Sequence, residues 1–391
     1  MIIPRLAVRN MLGAGTKTWL NAIVLSFSFV AIIWGQSLFK GFGEESARTM
    51  SDAEYGGGQY WVESYDPLDP FSIQDAHKPV TGRIQTLITS GRATPILIVQ
   101  GTIYPGGRIQ PVLLKGIDPG QKTLTLPSRV LQARDSEIPA LIGARMARGA
   151  GLKKGDTVTA RWRDSKGTFD ARELVIADIF QTTAQSVDAG QIWIRLDDLR
   201  RMAVMPGEAT IMVTEKDFGP VESLPGWTFK DLSFLNRDTR ELIRMKSFGV
   251  SIFYILLFFL AMLAIFNTQV LSVFRRRKEI GTMMALGLTR GRVVWLFTLE
   301  GAMQSVLALL VGAIYGIPFL GWFGKEGWKL PSGQADSFGL SIGNTLYPAY
   351  SMGLVVGTAA LVFIATTIIS FLPTRRIVKL KPTEALRGRT Q

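Results

Sequence analysis

Residues 248–278 read FGVSIFYILLFFLAMLAIFNTQVLSVFRRRK. Phe248 to Val273 is an apolar run long enough to cross the ~30 Å hydrocarbon core of a bilayer as a helix rising ~1.5 Å per residue. Arg275, Arg276, Arg277 and Lys278 close it with consecutive positive charges. The same grammar recurs three times. Trp19–Phe39 follows Arg5, Arg9 and Lys17, and Val293–Gly321 follows Arg290 and Arg292. Tyr347–Leu372 precedes Arg375, Arg376, Lys379, Lys381, Arg387 and Arg389. Only Glu279 and Glu384 oppose these bases, so the flanks of the apolar runs carry the whole formal charge of +13. Basic residues that flank apolar runs obey the positive-inside rule and place all of these bases on the cytoplasmic side. A nucleic-acid-binding reading of the pI of about 10.0 would need them gathered on one soluble face, and they are not.

The expected fold class is therefore an integral membrane α-helical protein with four transmembrane helices and a large mixed α/β periplasmic domain between helices 1 and 2. The expected division is a cytoplasmic amphipathic helix at 1–18, helix 1 at 19–39, the periplasmic domain at 40–247 and helix 2 at 248–273. A cytoplasmic coupling segment follows at 274–292, then helix 3 at 293–321, a periplasmic loop at 322–346, helix 4 at 347–372 and a cytoplasmic tail at 373–391. Four crossings return the chain to its starting side, with both termini in the cytoplasm. The first apolar run exceeds the ~7–15 residues of a signal-peptide core and no small-x-small cleavage pattern follows it, so it reads as a retained anchor.

The stretch of roughly 200 residues from Lys40 to Met245 is long enough to bury a core of its own. Gly58–Glu63 alternates like a strand. Pro95–Thr102 and Ile109–Gly116 are apolar runs split by Tyr104-Pro105-Gly106-Gly107, a hairpin signature. Leu141–Ala150, stopped by Gly151, reads as a short helix. Thr157–Arg163 and Arg172–Phe180 read as paired strands. Ile192–Arg195 and Thr210–Val213 read as shorter ones, with a helical Leu196–Met202 between them. The chain has no cysteine, so this domain is held by packing and hydrogen bonds alone.

The residue inventory speaks against an enzyme. His77 is the single histidine, which with the lack of cysteine removes His/Cys metal sites and any Cys-His pair. No G-x-S-x-G elbow accompanies it, and it reads as a surface residue. Asp66, Asp69 and Asp75 lack the spacing of a calcium loop and read as turn carboxylates. Gly13-Ala14-Gly15-Thr16-Lys17-Thr18 resembles a phosphate loop. However, Thr16 stands where the Walker pattern needs glycine, and a membrane span follows instead of a strand-to-helix turn. No cofactor is expected, and any ATP is bound by a partner subunit.

The segment between the second and third spans continues Glu279-Ile280-Gly281-Thr282-Met283-Met284-Ala285-Leu286-Gly287-Leu288. Ile280, Met283, Met284 and Leu288 recur at helical spacing. Membrane anchoring explains the arginines but not this short amphipathic helix, which suits the groove of a partner protein. RRRKEIGTMMALGLTRGRV, residues 275–293, resembles the motif joining spans two and three of the FtsX-like permeases, the membrane subunits of the MacB/LolC/LolE group of ABC transporters. PRLAVRNML at 4–12 resembles that family's entry helix. LPTRRIVKLKPTEALRG at 372–388 resembles its exit motif, at Pro382, Glu384, Ala385, Leu386 and Arg387.

The resemblance implies a permease dimer, identical or paralogous, seated on a dimer of ABC ATPases in the bacterial inner membrane. Glu279, Ile280, Gly281, Met284, Gly287 and Leu288 would contact the ATPase. Its closure would be transmitted through the spans to the periplasmic domain, without a central pore. Runs such as Tyr55–Val62, Leu113–Pro119, Ile142–Ala147 and Leu152–Asp156 look most like the lipoprotein-releasing permeases. This implies release of lipoproteins or lipid-anchored cargo, with membrane lipid and a periplasmic partner. Two alternatives stay open: an efflux mechanotransmitter with an adaptor and outer-membrane channel, or a regulator of a cell-wall hydrolase.

Two further features lie inside the spans. Glu300 is an ionisable group within span three and so a candidate for transmission, or for structural pairing. Gly312 with Gly316, and Gly353 with Gly357, form small-xxx-small faces suited to close helix packing.

Overall fold

The computed structural model describes residues 15–132, 137–182, 184–219, 221, 223–329 and 345–375. Most of the expected entry helix, of the C-terminal exit motif and of the 322–346 loop lies outside the described residues. The chain divides into two units, Met1–Phe42 with Ile243–Lys329 and Leu346–Gln391, and Gly43–Leu242 with Leu330–Thr345.

Among the described residues, the first unit is built on four helices long and apolar enough to cross a membrane. They are α1 (Thr16–Met50), α2 (Arg237–Arg275), α4 (Arg290–Glu326) and α5 (Met352–Thr374), with the short α3 (Arg277–Ala285) between α2 and α4. At ~1.5 Å per residue, α1 and α2 run to roughly 50–60 Å, well beyond the ~30 Å an apolar core needs. No proline interrupts either, so helical backbone continues through polar sequence after the apolar run of α1 and before that of α2. α4 passes Pro318 and ends at Gly327, whose φ of 66° an L side chain rarely adopts. α5 starts five residues later than expected, at Met352 rather than Tyr347. Pro348 lies in the non-helical lead-in, and Ser351 caps the helix by accepting from the Leu354 N–H at 3.4 Å.

Leu25, Phe29, Val30 and Ile33 of α1 pack with Ala261, Met262 and Ile265 of α2, Leu307 and Ala308 of α4, and Val362 of α5. Asn21 donates to Thr268 Oγ1 at 2.8 Å and Gln36 to Ser251 Oγ at 3.2 Å, tying α1 to α2. Thr298 and Thr374 share a hydrogen bond at 3.0 Å between α4 and α5. Such polar pairs are retained between membrane helices because hydrocarbon offers them no other partner.

The second unit carries a nine-stranded sheet. In chain order its strands are β1 (Gln59–Val62), β3 (Ala93–Ile103), β4 (Gln110–Ile117), β5 (Ile138–Gly143), β6 (Thr157–Arg163), β7 (Phe169–Phe180), β8 (Gln191–Arg195), β10 (Ile211–Thr214) and β11 (Trp227–Lys230), and their spatial order is β11-β1-β10-β3-β4-β8-β5-β7-β6. β2 (Lys78–Pro79) and β9 (Glu208–Ala209) form a separate ladder. β6 also pairs back on β3, Gly101 opposite Trp162, so the strands from β3 to β6 close into a barrel. β3 is long enough to serve twice. Its first half pairs with β10 and its second half with β6. The barrel fills with Leu97, Val99, Leu114, Ile142, Trp162, Ile176 and Ile194, and β6 alternates exposed and buried residues as a barrel wall must.

The expected hairpin at Tyr104–Gly107 joins β3 to β4. The expected helix over Leu141–Ala150 is corrected. Ile138–Gly143 is a strand between β7 and β8, and only Ala144–Ala150 is helical. A short apolar run buried on both faces carries no periodicity that separates strand from helix. His77 is corrected as well: it is half-buried and pairs with the Glu208 carboxylate. The β2–β9 ladder sets Pro79 opposite Glu208 and so brings the two side chains together. Asp66 and Asp69 act within their turn, accepting the N–H groups of Leu68 and Phe71 at 2.9 Å each.

Candidate functional site: the segment between α2 and α4

α2 ends at Arg275 and α3 begins at Arg277, leaving Arg276 as the joint, with φ −97° and ψ 18°. The apolar stripe of α3 faces inward. Ile280 and Gly281 are buried, and Ile280 sits among Val273, Val293, Val294 and Phe297 with Met283, Met284 and Leu288 partly buried against them. The stripe that suggested a partner's groove thus covers the ends of the chain's own membrane helices, because a loop this short cannot turn its apolar face away from them. Lys278, Glu279, Thr282, Ala285, Leu286 and Gly287 remain exposed. Gly287 closes the helix with φ 95°, and the Leu288 N–H reaches back to the Met283 carbonyl at 3.1 Å. That left-handed turn is where glycine is needed.

Arg276 turns into the bundle. Its Nε donates to Glu279 Oε2 at 2.7 Å, and its Nη1 to Glu300 Oε2 at 2.9 Å and Oε1 at 3.1 Å. Its guanidinium lies 4.8 Å from the centre of the Phe297 ring. Glu300 is only 6% exposed, so a charged partner is required there. Sequence reasoning picked out Glu300 but missed Arg276. Four bases in a row look alike on paper, and the only hint was the solitary acid ten residues into the next helix.

Of the glycines singled out, Gly312 and Gly316 face α1. A Cβ on Gly312 would lie 3.3 Å from Phe29, and one on Gly316 would lie 2.8 Å from Val30. Gly316→Leu is expected to force α1 and α4 apart and cost about 1–3 kcal/mol. A lowered thermal midpoint of the solubilised chain would show it. A Cβ on Gly353 or Gly357 would meet nothing within 4 Å among the described residues. Gly301, not foreseen, packs against α5: a Cβ there would lie 2.2 Å from Ser370 Oγ.

Residues 251–382 match the family described as FtsX-like permease C-terminal. The chain is 21% identical over 317 residues to the lipoprotein-releasing system transmembrane protein LolC of Xylella fastidiosa strain Temecula1, covering 73% of this chain and 75% of that protein. LolC of Neisseria meningitidis serogroup B is 20% identical over 326 residues, 75% of this chain and 77% of that one. The macrolide export ATP-binding/permease protein MacB of Brucella abortus is 32% identical over 124 residues, 32% of this chain but 16% of that protein.

Proposed function

We propose that this chain, an ABC transporter permease of the LolC/MacB type with an FtsX-like permease domain over residues 251–382, works with a separate ATPase to release lipid-anchored proteins from the bacterial inner membrane. The observation that carries the cargo reading is the extent of the likeness. A match covering 73% of this chain cannot be contained in the permease domain and must extend into the β-barrel unit. The match to MacB spans 124 residues, a length the permease domain alone can hold. A unit shared with lipoprotein-releasing proteins supports a shared kind of cargo.

In this reading Arg275, Arg277, Lys278, Arg290 and Arg292 hold their side of the bundle at the cytoplasmic face, and the β-barrel unit lies in the periplasm. The ATPase bears on the exposed side of the segment: Glu279, Gly287 and the Leu286 side chain. Ile280, Gly281, Met284 and Leu288 support that surface from beneath. The permease pairs with a second copy or a paralogue, and its motion reaches the periplasm through α1 and α2, whose helical backbone outruns the bilayer.

Glu279→Lys is expected to leave the permease inserted and folded while cutting permease-stimulated ATP hydrolysis about tenfold, which corresponds to ~1.4 kcal/mol. Unchanged stimulation would remove Glu279 from the coupling surface. The cargo is tested by proteoliposomes holding the permease, its ATPase and an acylated lipoprotein. ATP-dependent transfer of the lipoprotein to the soluble fraction is the expected result. The local likeness to MacB favours one second reading, efflux driven through an adaptor and channel. Co-isolation of those two proteins without lipoprotein release would select it.

A further inference from the structure

We propose that Arg276 is a positioning residue that clasps the ATPase-facing segment to the interior of the bundle, so that displacement of α3 is delivered to α4 at Glu300. The inference rests on the reading of residues 274–292 as the ATPase contact. Three observations carry it. Arg276 stands between two helices, at the one position of the basic run that belongs to neither α2 nor α3. Its side chain joins two carboxylates of different kind. Glu279 is one turn into α3 with its side chain 61% exposed, and Glu300 is in α4 with its side chain 8% exposed. Finally, the neighbouring bases are placed otherwise: Arg277 stacks on Phe274 at 4.3 Å, and Arg275 and Lys278 are exposed.

The chemistry of the guanidinium makes this a rigid link. Nε and Nη1 belong to one planar, delocalised group, so the arm on Glu279 cannot move without the arm on Glu300. Charge-assisted hydrogen bonds on both arms hold the plane, and Phe297, one turn before Glu300, lies under it. Glu300 cannot lose its cation cheaply at this burial, so the pair moves together rather than parting. The next residue, Gly301, packs so closely on Ser370 of α5 that an added Cβ would lie 2.2 Å from its Oγ. A shift imposed at Glu300 therefore bears directly on the fourth span. Positive charge for membrane anchoring would be met by any base here. A planar group bonded to two acids is a more specific arrangement.

The test compares Arg276→Gln, Glu300→Gln and the double Arg276→Gln/Glu300→Gln variant in the full chain, reconstituted in nanodiscs with and without its ATPase. Each single change removes one side of the Arg276–Glu300 pair and is expected to lower the thermal midpoint. The double variant buries two neutral amides, and its midpoint is expected to return close to that of the parent. Permease-stimulated kcat of the double variant should nevertheless stay about tenfold down with KM for ATP unchanged, and Arg276→Lys, which cannot reach both acids, should rescue it only in part. Recovery of full stimulation together with stability would overturn the clasp and leave a merely structural pair.

The native chain has no cysteine, so spin labels at Thr282→Cys and Leu310→Cys report the α3–α4 distance without the ATPase. In the double variant that distance should broaden, and an unchanged distribution would overturn the proposal. If the parent permease fails to stimulate the ATPase, the transporter reading falls, while the label distances still decide whether Arg276 holds α3 to α4.

Discussion

Replacing Lys115 by methionine is expected to destabilise the protein by about 3–5 kcal/mol, the cost of leaving a buried charge without its partner. Lys115 lies on β4 with its side chain 4% exposed, and its Nζ meets Glu54 Oε1 at 2.5 Å. Glu54 belongs to the π-helical turn Ser51–Tyr55 that follows α1, closed by the Gly56 N–H on the Ser51 carbonyl at 2.7 Å. Gln191 Nε2 donates to the same Glu54 oxygen at 2.9 Å and Ser186 Oγ to the other at 3.1 Å. The Lys115 ammonium also lies 5.2 Å from the centre of the Trp193 ring. Removing the cation leaves a carboxylate with two neutral donors in a nearly closed site, and methionine fills the volume without answering the charge.

The double variant Lys115→Met/Glu54→Gln separates charge from packing. With both charges gone, the penalty is expected to fall to less than about 1 kcal/mol, since buried ion pairs are often replaceable as a pair. Thermal or denaturant midpoints of the full chain, followed through the buried Trp193, measure both. A single Lys115→Met loss below 1 kcal/mol would mean that the site admits enough water to solvate Glu54. The same result would weaken the view that this turn is firmly fastened to β4.

What could be read from the chain and what could not divide along physical lines. Apolar length and flanking charge are local quantities, and they locate α1, α2, α4 and α5 because a bilayer demands about 20 apolar residues whatever else the protein does. The turn at Tyr104–Gly107 was legible for the same reason: its chemistry is local. Closure of the barrel was not. Gly101 and Trp162 meet through backbone hydrogen bonds across some sixty residues of chain, and nothing in either strand names the other. Lys115 illustrates a second limit. Within Leu113-Leu114-Lys115-Gly116 it looks like a polar break in an apolar strand, and only the turn after α1 shows why a charge is kept there.

The family resemblance named Glu279 and Gly287, and the place of the candidate segment in the chain followed from the sequence. The inward seating of Ile280, Met284 and Leu288 did not, because an amphipathic period shows that a face is buried without saying against what. Arg276 was hidden by its neighbours, since direction within a run of like residues is decided by the backbone break between α2 and α3.

The glycines of the bundle sharpen the same point. Gly41→Ala is expected to be among the most damaging single-carbon changes in the membrane unit, costing about 1–3 kcal/mol or more. A Cβ there would lie 2.0 Å from the Tyr347 carbonyl oxygen and 3.1 Å from the Ala349 nitrogen. The Ala349 N–H is itself bonded to the Ser37 carbonyl at 2.8 Å, so the lead-in to α5 runs along α1 backbone to backbone. At Gly316 the neighbour is a valine side chain that can give way, whereas here it is the main chain, and relief requires moving the strand of residues that delivers Ser351 to cap α5. Gly353→Ala and Gly357→Ala provide the contrast. With nothing within 4 Å among the described residues, each should leave the thermal midpoint unchanged or raise it, alanine being favoured over glycine in a helix by up to ~1 kcal/mol. Equal losses at Gly41 and Gly353 would contradict this division and place a neighbour against α5 where the described residues put none.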